Sequence, residues 1–378
     1  MNTRLAKKIR RPGFTVTFLS IVVMLAATGP VAIAQECTNP NWSVFATGLT
    51  NPRNIRFGPD GHLYVAEAGI GGNQLQTCDW PGNAFTQTAP YRGGYTARIS
   101  RIRRDGTRQT VVDGLPSTID GTGEAFGASD IAWLGGKMYA LIEGGGCTRG
   151  LPNDPAGIVR INNNGSYTYV ANISAFIRAN PVANEPECGP FGDCEPDGVP
   201  HSLLVDGNNL LVVETNHNSV LRVNRRTGAI TRLYDLSVQD PAPIVLIRKG
   251  RDFYLGGFDG LIQTFDRHFG PVTTFDQGYS AIVGLLFVRN RLHVLETFAV
   301  ETPWTPGTGR VVRRNRDGSR DLIACELNFP IGMAKKHGEL YVSTVSYGHG
   351  PVEGLGQIVR IGLPHHDDDD DDDDDGDD

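Results

Sequence analysis

Aromatic residues make up only 8% of this 378-residue sequence, and charged residues only 20%. No stretch sustains the Ala/Glu/Lys/Leu/Arg pattern of a long amphipathic helix, which excludes a coiled coil. Glycine (47) and proline (23) are plentiful but follow no three-residue period, which excludes collagen. No C-x-x-C spacing occurs among the six cysteines, so a zinc ribbon has no ligand pattern to rest on. HExxH, Gly-x-Ser-x-Gly and a phosphate-binding glycine loop are absent as well. A net charge of one sign is lacking too, once the ends are set aside. The formal charge is −7, but the first 34 residues carry five cations and no acid, and the last twelve hold eleven Asp. The body between them stands at −1. A nearly neutral body argues against nucleic acid as a partner, because phosphate contacts need a basic surface.

The two ends are unlike the body. Basic residues from Lys7 to Arg11 precede an apolar run, residues 14–27, and Ala32-Ile33-Ala34 follows. That three-part pattern predicts a signal peptide over residues 1–34 and a secreted or periplasmic protein. Thr15, Thr17, Ser20, Thr28 and Pro30 break the run below the ~20 apolar residues of a membrane span, so no span is expected after cleavage. The tail, residues 365–378, is His365-His366 followed by nine Asp, a Gly and two Asp. It can bury nothing and is expected to be disordered.

An exported chain with six cysteines predicts disulfides. Cys188 and Cys194 are expected to pair, since the five residues between them include Gly189, Pro190 and Gly192 and can turn tightly. Cys78 with Cys147 is the second pairing, from loops on neighbouring repeats, and Cys37 with Cys325 follows by elimination.

Residues 35–364 repeat one phrase, a short apolar strand, a Gly-bearing or charged turn and a second apolar strand. It reads Asn54-Ile-Arg-Phe-Gly-Pro-Asp-Gly-His-Leu-Tyr-Val65, and again Asp130-Ile-Ala-Trp-Leu-Gly-Gly-Lys-Met-Tyr-Ala140 and Ser202-Leu-Leu-Val-Asp-Gly-Asn-Asn-Leu-Leu-Val212. Three further copies begin at Val245, Gly284 and Gly332, and a second hairpin phrase follows each copy. Two hairpins per repeat make a four-stranded antiparallel unit, and six units predict an all-β fold, a six-bladed β-propeller. The sixth copy stops one strand short. Trp42-Ser-Val-Phe-Ala-Thr47 resembles the missing outer strand, so this N-terminal strand is expected to close the ring.

The second strands start at Leu63, Met138, Leu210, Phe253, Leu292 and Leu340, giving intervals of 75, 72, 43, 39 and 48 residues. The first two intervals carry insertions, at residues 71–94, 144–155 and 175–200, all expected on one face. The first residues of the innermost strands are polar in the same three repeats: Arg53-Asn54, Ser129-Asp130 and His201-Ser202. In the other three they are Ile244-Val245, Val283-Gly284 and Ile331-Gly332. Convergent polar groups at a channel mouth predict a ligand site for a small molecule, a glycan or a protein. Arg53, Asn54, Asp130 and His201 are expected to supply its polar contacts, with Glu67 and Glu214 at the rim. Glu67, Glu214 and Glu296 share one repeat position, and Glu143 lies one residue further on. Such a set could clip backbone amides within each blade, or converge with His217 and Asn218 as a Ca²⁺ or acid/base site.

Gly48-Leu-Thr-Asn-Pro-Arg-Asn-Ile-Arg-Phe-Gly-Pro-Asp-Gly-His-Leu-Tyr-Val-Ala-Glu-Ala-Gly69 resembles the opening repeat of the ScyD/ScyE family of secreted propellers. Gly127-Ala-Ser-Asp-Ile131 and Gly309-Arg-Val-Val312 are similar to its later blades. The resemblance covers most of residues 42–361 and implies the fold and export, with no assigned catalytic residues. It departs at Glu214-Thr-Asn-His-Asn218 and at Pro200-His201. The reading that follows is a secreted binding or accessory propeller. The alternatives are a metal-dependent lactonase-like hydrolase, which shares six blades with acidic and amide ligands at the channel mouth, and a quinone-dependent sugar dehydrogenase, which has a similar opening repeat. Arg53 and His201 are the evident groups for the second.

Overall fold

Each repeat phrase becomes one hairpin, and pairs of hairpins become blades. In a computed structural model, the described residues are 37–363 except 38, 85, 87, 88, 299–303 and 347–352. The expected signal peptide and the acidic tail lie outside them. The innermost strands run Pro52–Phe57, Ala128–Leu134, Pro200–Asp206, Pro243–Lys249, Ile282–Val288 and Met333–Lys336. Each opens an antiparallel sheet, and in the first five the strands follow in chain order from the axis outward. The chain is a six-bladed β-propeller.

The sixth sheet shows how the ring closes. Its outer strand is Ser43–Leu49, paired antiparallel with Gly356–Gly362 (Ser43 opposite Arg360, Leu49 opposite Gly356). The strand extends two residues past the expected segment. A disulfide, Cys37–Cys325, ties its leader to the outer strand of blade 5, and the Trp42 indole donates to the Cys325 carbonyl at 2.9 Å.

The core lies between blades. Six apolar clusters fill the six interfaces, because successive residues of a strand face opposite neighbours. Leu211 and Val213 pack on blade 4, while Leu210 and Val212 pack on blade 2. This ring of interfaces leaves no room for the single inter-sheet core of a sandwich.

Blade 1 departs from the simple plan. Its outer hairpin, Arg92–Ile102 with Arg108–Ile119, is much longer than the repeat phrase, and a short fifth strand, Ala125–Phe126, pairs with its end. The hairpin rises over the insertion face. Among the described residues the one helix, Ile173–Ala179, leads into the third insertion and is capped by Asn172. It is too short to cross a membrane, and no described helix is long and apolar enough to do so.

Candidate functional site at the insertion-covered channel mouth

A β-bulge recurs where the innermost strands begin. Register shifts fall between Pro52 and Ile55, Ala128 and Asp130, Pro200 and Ser202, Pro243 and Val245, and Ile282 and Gly284. A bulge leaves one residue unpaired and re-aims its side chain. The bulged residues are Ser129, His201, Ile244 and Val283, with Arg53-Asn54 in blade 1. The polar half of the mouth therefore belongs to blades 1 to 3. Ile244 and Val283 on the other side join Ile331 in one apolar cluster.

The three insertions fold together above that polar half. Cys78–Cys147 joins the first to the second, and Cys188–Cys194 closes the third. Glu195 and Arg149, neither singled out from the sequence, form their hub. Glu195 accepts from the Tyr91 hydroxyl, from Asn83 Nδ2 at 2.7 Å and from Arg149 Nη2 at 2.9 Å. Arg149 is fully buried, donates to the carbonyls of Glu143 and Gly198, and lies over the Tyr91 and Phe126 rings. Gly146, at φ +120°, is required there: a Cβ would meet the Asp197 carboxyl at about 2.0 Å. The signal in the sequence was adjacency, since Arg149 lies two residues after Cys147 and Glu195 directly follows Cys194.

Beneath this roof four side chains meet. Arg53 Nε lies 3.7 Å from a Glu143 oxygen, and Nη2 lies 3.9 Å from Glu124. Arg53 also donates to the Ala125 carbonyl. Glu143 is 1% exposed and neither of its oxygens closes a hydrogen bond. His201 is 4% exposed, and both ring nitrogens are buried without a partner. Asn54 Nδ2 and the Ser129 hydroxyl hold the neighbouring backbone, donating to the carbonyls of His201 (3.0 Å) and Pro200 (2.8 Å). Glu124 keeps 29% of its side chain exposed and marks the way in.

Electrostatics keep this pocket close to neutral. Burial raises the Glu143 pKa against the pull of Arg53 and Arg149. Burial pushes Glu124 up to about 8, opposed by Arg53 and reinforced by Asp120, Glu143 and Glu195. Burial, then Arg53, lowers His201 to about 3, so the imidazole is neutral. The two shifts load stability with opposite pH dependence. Between pH 6.5 and 3 the unfolded His201 takes up a proton that the folded one refuses, so stability falls as pH drops through that window. Folded Glu124 holds a proton between about 4.5 and 8, so its contribution is lost as pH rises toward 8. At 1.36 kcal/mol per unit, the buried His201 accounts for roughly 5 kcal/mol at most. His201→Gln is therefore expected to flatten the acid limb of a melting-temperature profile, and Glu124→Gln the alkaline limb. A profile unchanged by both would refute this charge distribution.

The other expected contacts are occupied internally. Asp130 is fully buried, binds Arg56 at 2.6 and 2.9 Å, and accepts from the amides of Ile131 and Leu203 at 2.8 Å. It clasps blades 1, 2 and 3 and has no lone pair aimed at the mouth. Asp130→Ala should accordingly cost about 3 kcal/mol of stability, by stranding the Arg56 charge and the Leu203 amide. A melting point within a degree of the parent would contradict that.

Glu67 and Glu214 also turn inward to their own blades. Glu67 accepts from the Thr50 amide at 2.7 Å and pairs with Arg98 and Arg108. Glu214 accepts from the Val199 amide at 2.7 Å and the His217 amide at 2.8 Å. Glu296 repeats the plan with the Ser280 amide and Arg310. All three clip the segment leading into their own blade's innermost strand. His217 stays with Glu214 at 3.2 Å, and Asn218 bonds Asp240 and the Ala242 amide. These carboxylates do not converge. Among the described residues no group of three or more His, Cys, Asp or Glu is disposed to hold a metal ion, so the Ca²⁺ expectation has no donor set here. Glu143, displaced by one residue from the clip position, is the one that reaches the axis.

No protein-family model matches the sequence, and no curated protein matches it. Solved structures do. A protein of unknown function from Bacteroides thetaiotaomicron superposes with a TM-score of 0.51 at 11% identity, over 86% of this chain and 72% of that one. A streptogramin B lyase gives 0.47 at 13% identity, covering 85% and 97%. A catalytically inactive virginiamycin B lyase from Staphylococcus aureus with quinupristin gives 0.49 at 12%, covering 85% and 98%. At such identities a likeness speaks to the fold alone.

Proposed function

We propose that this chain is a secreted or periplasmic binding propeller of the ScyD/ScyE kind. Its three disulfides are the mark of maturation in an oxidising compartment. Its ligand site is the cluster of Arg53, Glu124, Glu143 and His201 under the insertion roof, between blades 1, 2 and 3. The observation that carries this reading is the Glu143 carboxyl and the His201 ring, both buried and both without hydrogen bonds. Buried polar groups are almost always paired, and leaving one unpaired costs about 1–3 kcal/mol. A ligand that supplies the missing partners recovers that cost.

The chemistry of the pocket selects the ligand class. Arg53 faces Glu143, and Glu124 holds its proton up to about pH 8, so no excess charge awaits an ion. Glu143 accepts, while neutral His201 both donates and accepts. A small neutral molecule bearing hydroxyls, such as a sugar or the end of a glycan, satisfies all three. A panel of neutral sugars and sugar lactones, scored by thermal shift and calorimetry, tests this. Glu143→Gln and His201→Ala should each weaken a bound member by roughly 1–3 kcal/mol while the fold survives. Undiminished affinity in both variants would remove the site from this pocket. Turnover of a lactone, lost in Glu143→Gln, would make the protein a hydrolase instead.

A further inference from the structure

The opposite face of the propeller carries a second site. The turns between first and second strands, and between third and fourth, point away from the insertions. At the seam of blades 6 and 1 these turns enclose a cavity of about 260 Å³. Its floor is apolar: Phe45 of the closing strand and Phe57 meet Tyr341 edge-on, at 5.1 and 5.3 Å between ring centres. Its walls are cationic, built from Arg103, Arg104, Lys336 and Arg360 with His62 and His337, and no carboxylate lines it. Nearby acids are already committed. Glu339 faces Arg360 at 3.5 Å, Asp60 pairs with His62 and Arg101, and Asp105 is hydrogen-bonded within its own turn to Thr107. The Arg104 side chain has no hydrogen bond or ion pair among the described residues.

The chain leaves the propeller beside this cavity. The strand Gly356–Gly362 runs antiparallel to Glu339–Thr344, so Gly362 pairs with Glu339, next to the Lys336–His337 turn. Only residues 364–366 separate Leu363 from the run of Asp. At ~3.3 Å per residue the nine consecutive Asp span roughly 30 Å, enough to cross the groove. We propose that the acidic segment, residues 367–378, docks in cis in this cationic groove. A tether this short gives an effective concentration in the millimolar range. Repulsion among eleven carboxylates is relieved by the same contacts that relieve the crowded cations. The groove is thus an anionic-chain site occupied by the protein's own tail, and another polycarboxylate must displace that tail to bind. This does not depend on the ligand pocket of the other face.

The test uses a labelled oligo-aspartate peptide of about the tail's length, followed by fluorescence anisotropy on the full chain. Three forms are compared at low salt: the parent, a form with residues 367–375 changed from Asp to Asn, and that form with Arg103→Ser and Arg104→Ser. The Asn form should bind the peptide at least about tenfold more tightly than the parent, as expected when a tethered competitor is removed. The added Arg changes should abolish that gain, and ~1 M salt, with a Debye length near 3 Å, should erase it. Arg103 and Arg104 are exposed turn residues, so the form carrying the Arg changes should melt like the Asn form. Equal affinity in parent and Asn form would overturn the docking, as would an Asn form that binds no peptide. Self-association of the parent at low salt, lost in the Asn form, would overturn the cis arrangement and assign the groove to a second copy's tail.

Discussion

Deleting residues 42–49 is expected to cost on the order of 5 kcal/mol and to make the protein self-associate. Ala46 and Leu49 are buried in the seam of blades 6 and 1 with Ile55, Val65 and Ile358, and Phe45 covers that seam. Fully burying one such large side chain is worth about 1.5–3 kcal/mol, and several are uncovered together. The deletion also strips the outer edge of Gly356–Gly362, leaving a row of unpaired amides and carbonyls that invites a second chain. Light scattering with a thermal melt reads both effects. A monomer that melts like the parent would show that the ring does not depend on this strand.

Arg149→Ala should be nearly as damaging, by about 3–5 kcal/mol, though the residue belongs to none of the six inter-blade apolar clusters. The guanidinium is fully buried and holds Glu195, the carbonyls of Glu143 and Gly198, and two aromatic faces. Removing it strands the Glu195 charge in a site where burial already raises its pKa. Adding Glu195→Gln should recover part of the loss, because the stranded charge disappears with it. Chemical denaturation of the two single variants and the double variant gives their coupling directly. Additive losses would mean that the pair is not the hub of the roof. The roof also covers Glu143 and His201, so Arg149→Ala should loosen retention of the proposed ligand along with stability.

The outcome for the repeated carboxylates shows where sequence reasoning stops. Glu67, Glu214 and Glu296 share a repeat position, and a shared position argues for a shared job in every blade. That job is clipping the blade's own entry segment, through the amides of Thr50, Val199 and Ser280. Glu143 breaks the spacing by one residue, and a slip of one in a strand turns the side chain to a different direction. Asp130 was indistinguishable from a ligand contact because its partner, Arg56, is 74 residues away and looks like an ordinary strand residue.

The six-bladed ring, its closing strand, the face that carries the insertions and the polar half of the mouth follow from the sequence by itself. Those features are written in local patterns: strand alternation, turn residues, repeat spacing and an incomplete last copy. Local patterns survive without knowledge of what lies across the ring. Only the tertiary structure decided which charges cancel, which buried polar groups are left without hydrogen bonds at the channel mouth, and that Arg149 and Glu195 hold the insertions together. The reason is physical. Whether a buried carboxylate clips a backbone or awaits a ligand depends on groups within about 4 Å, and folding draws those groups from segments far apart in the chain.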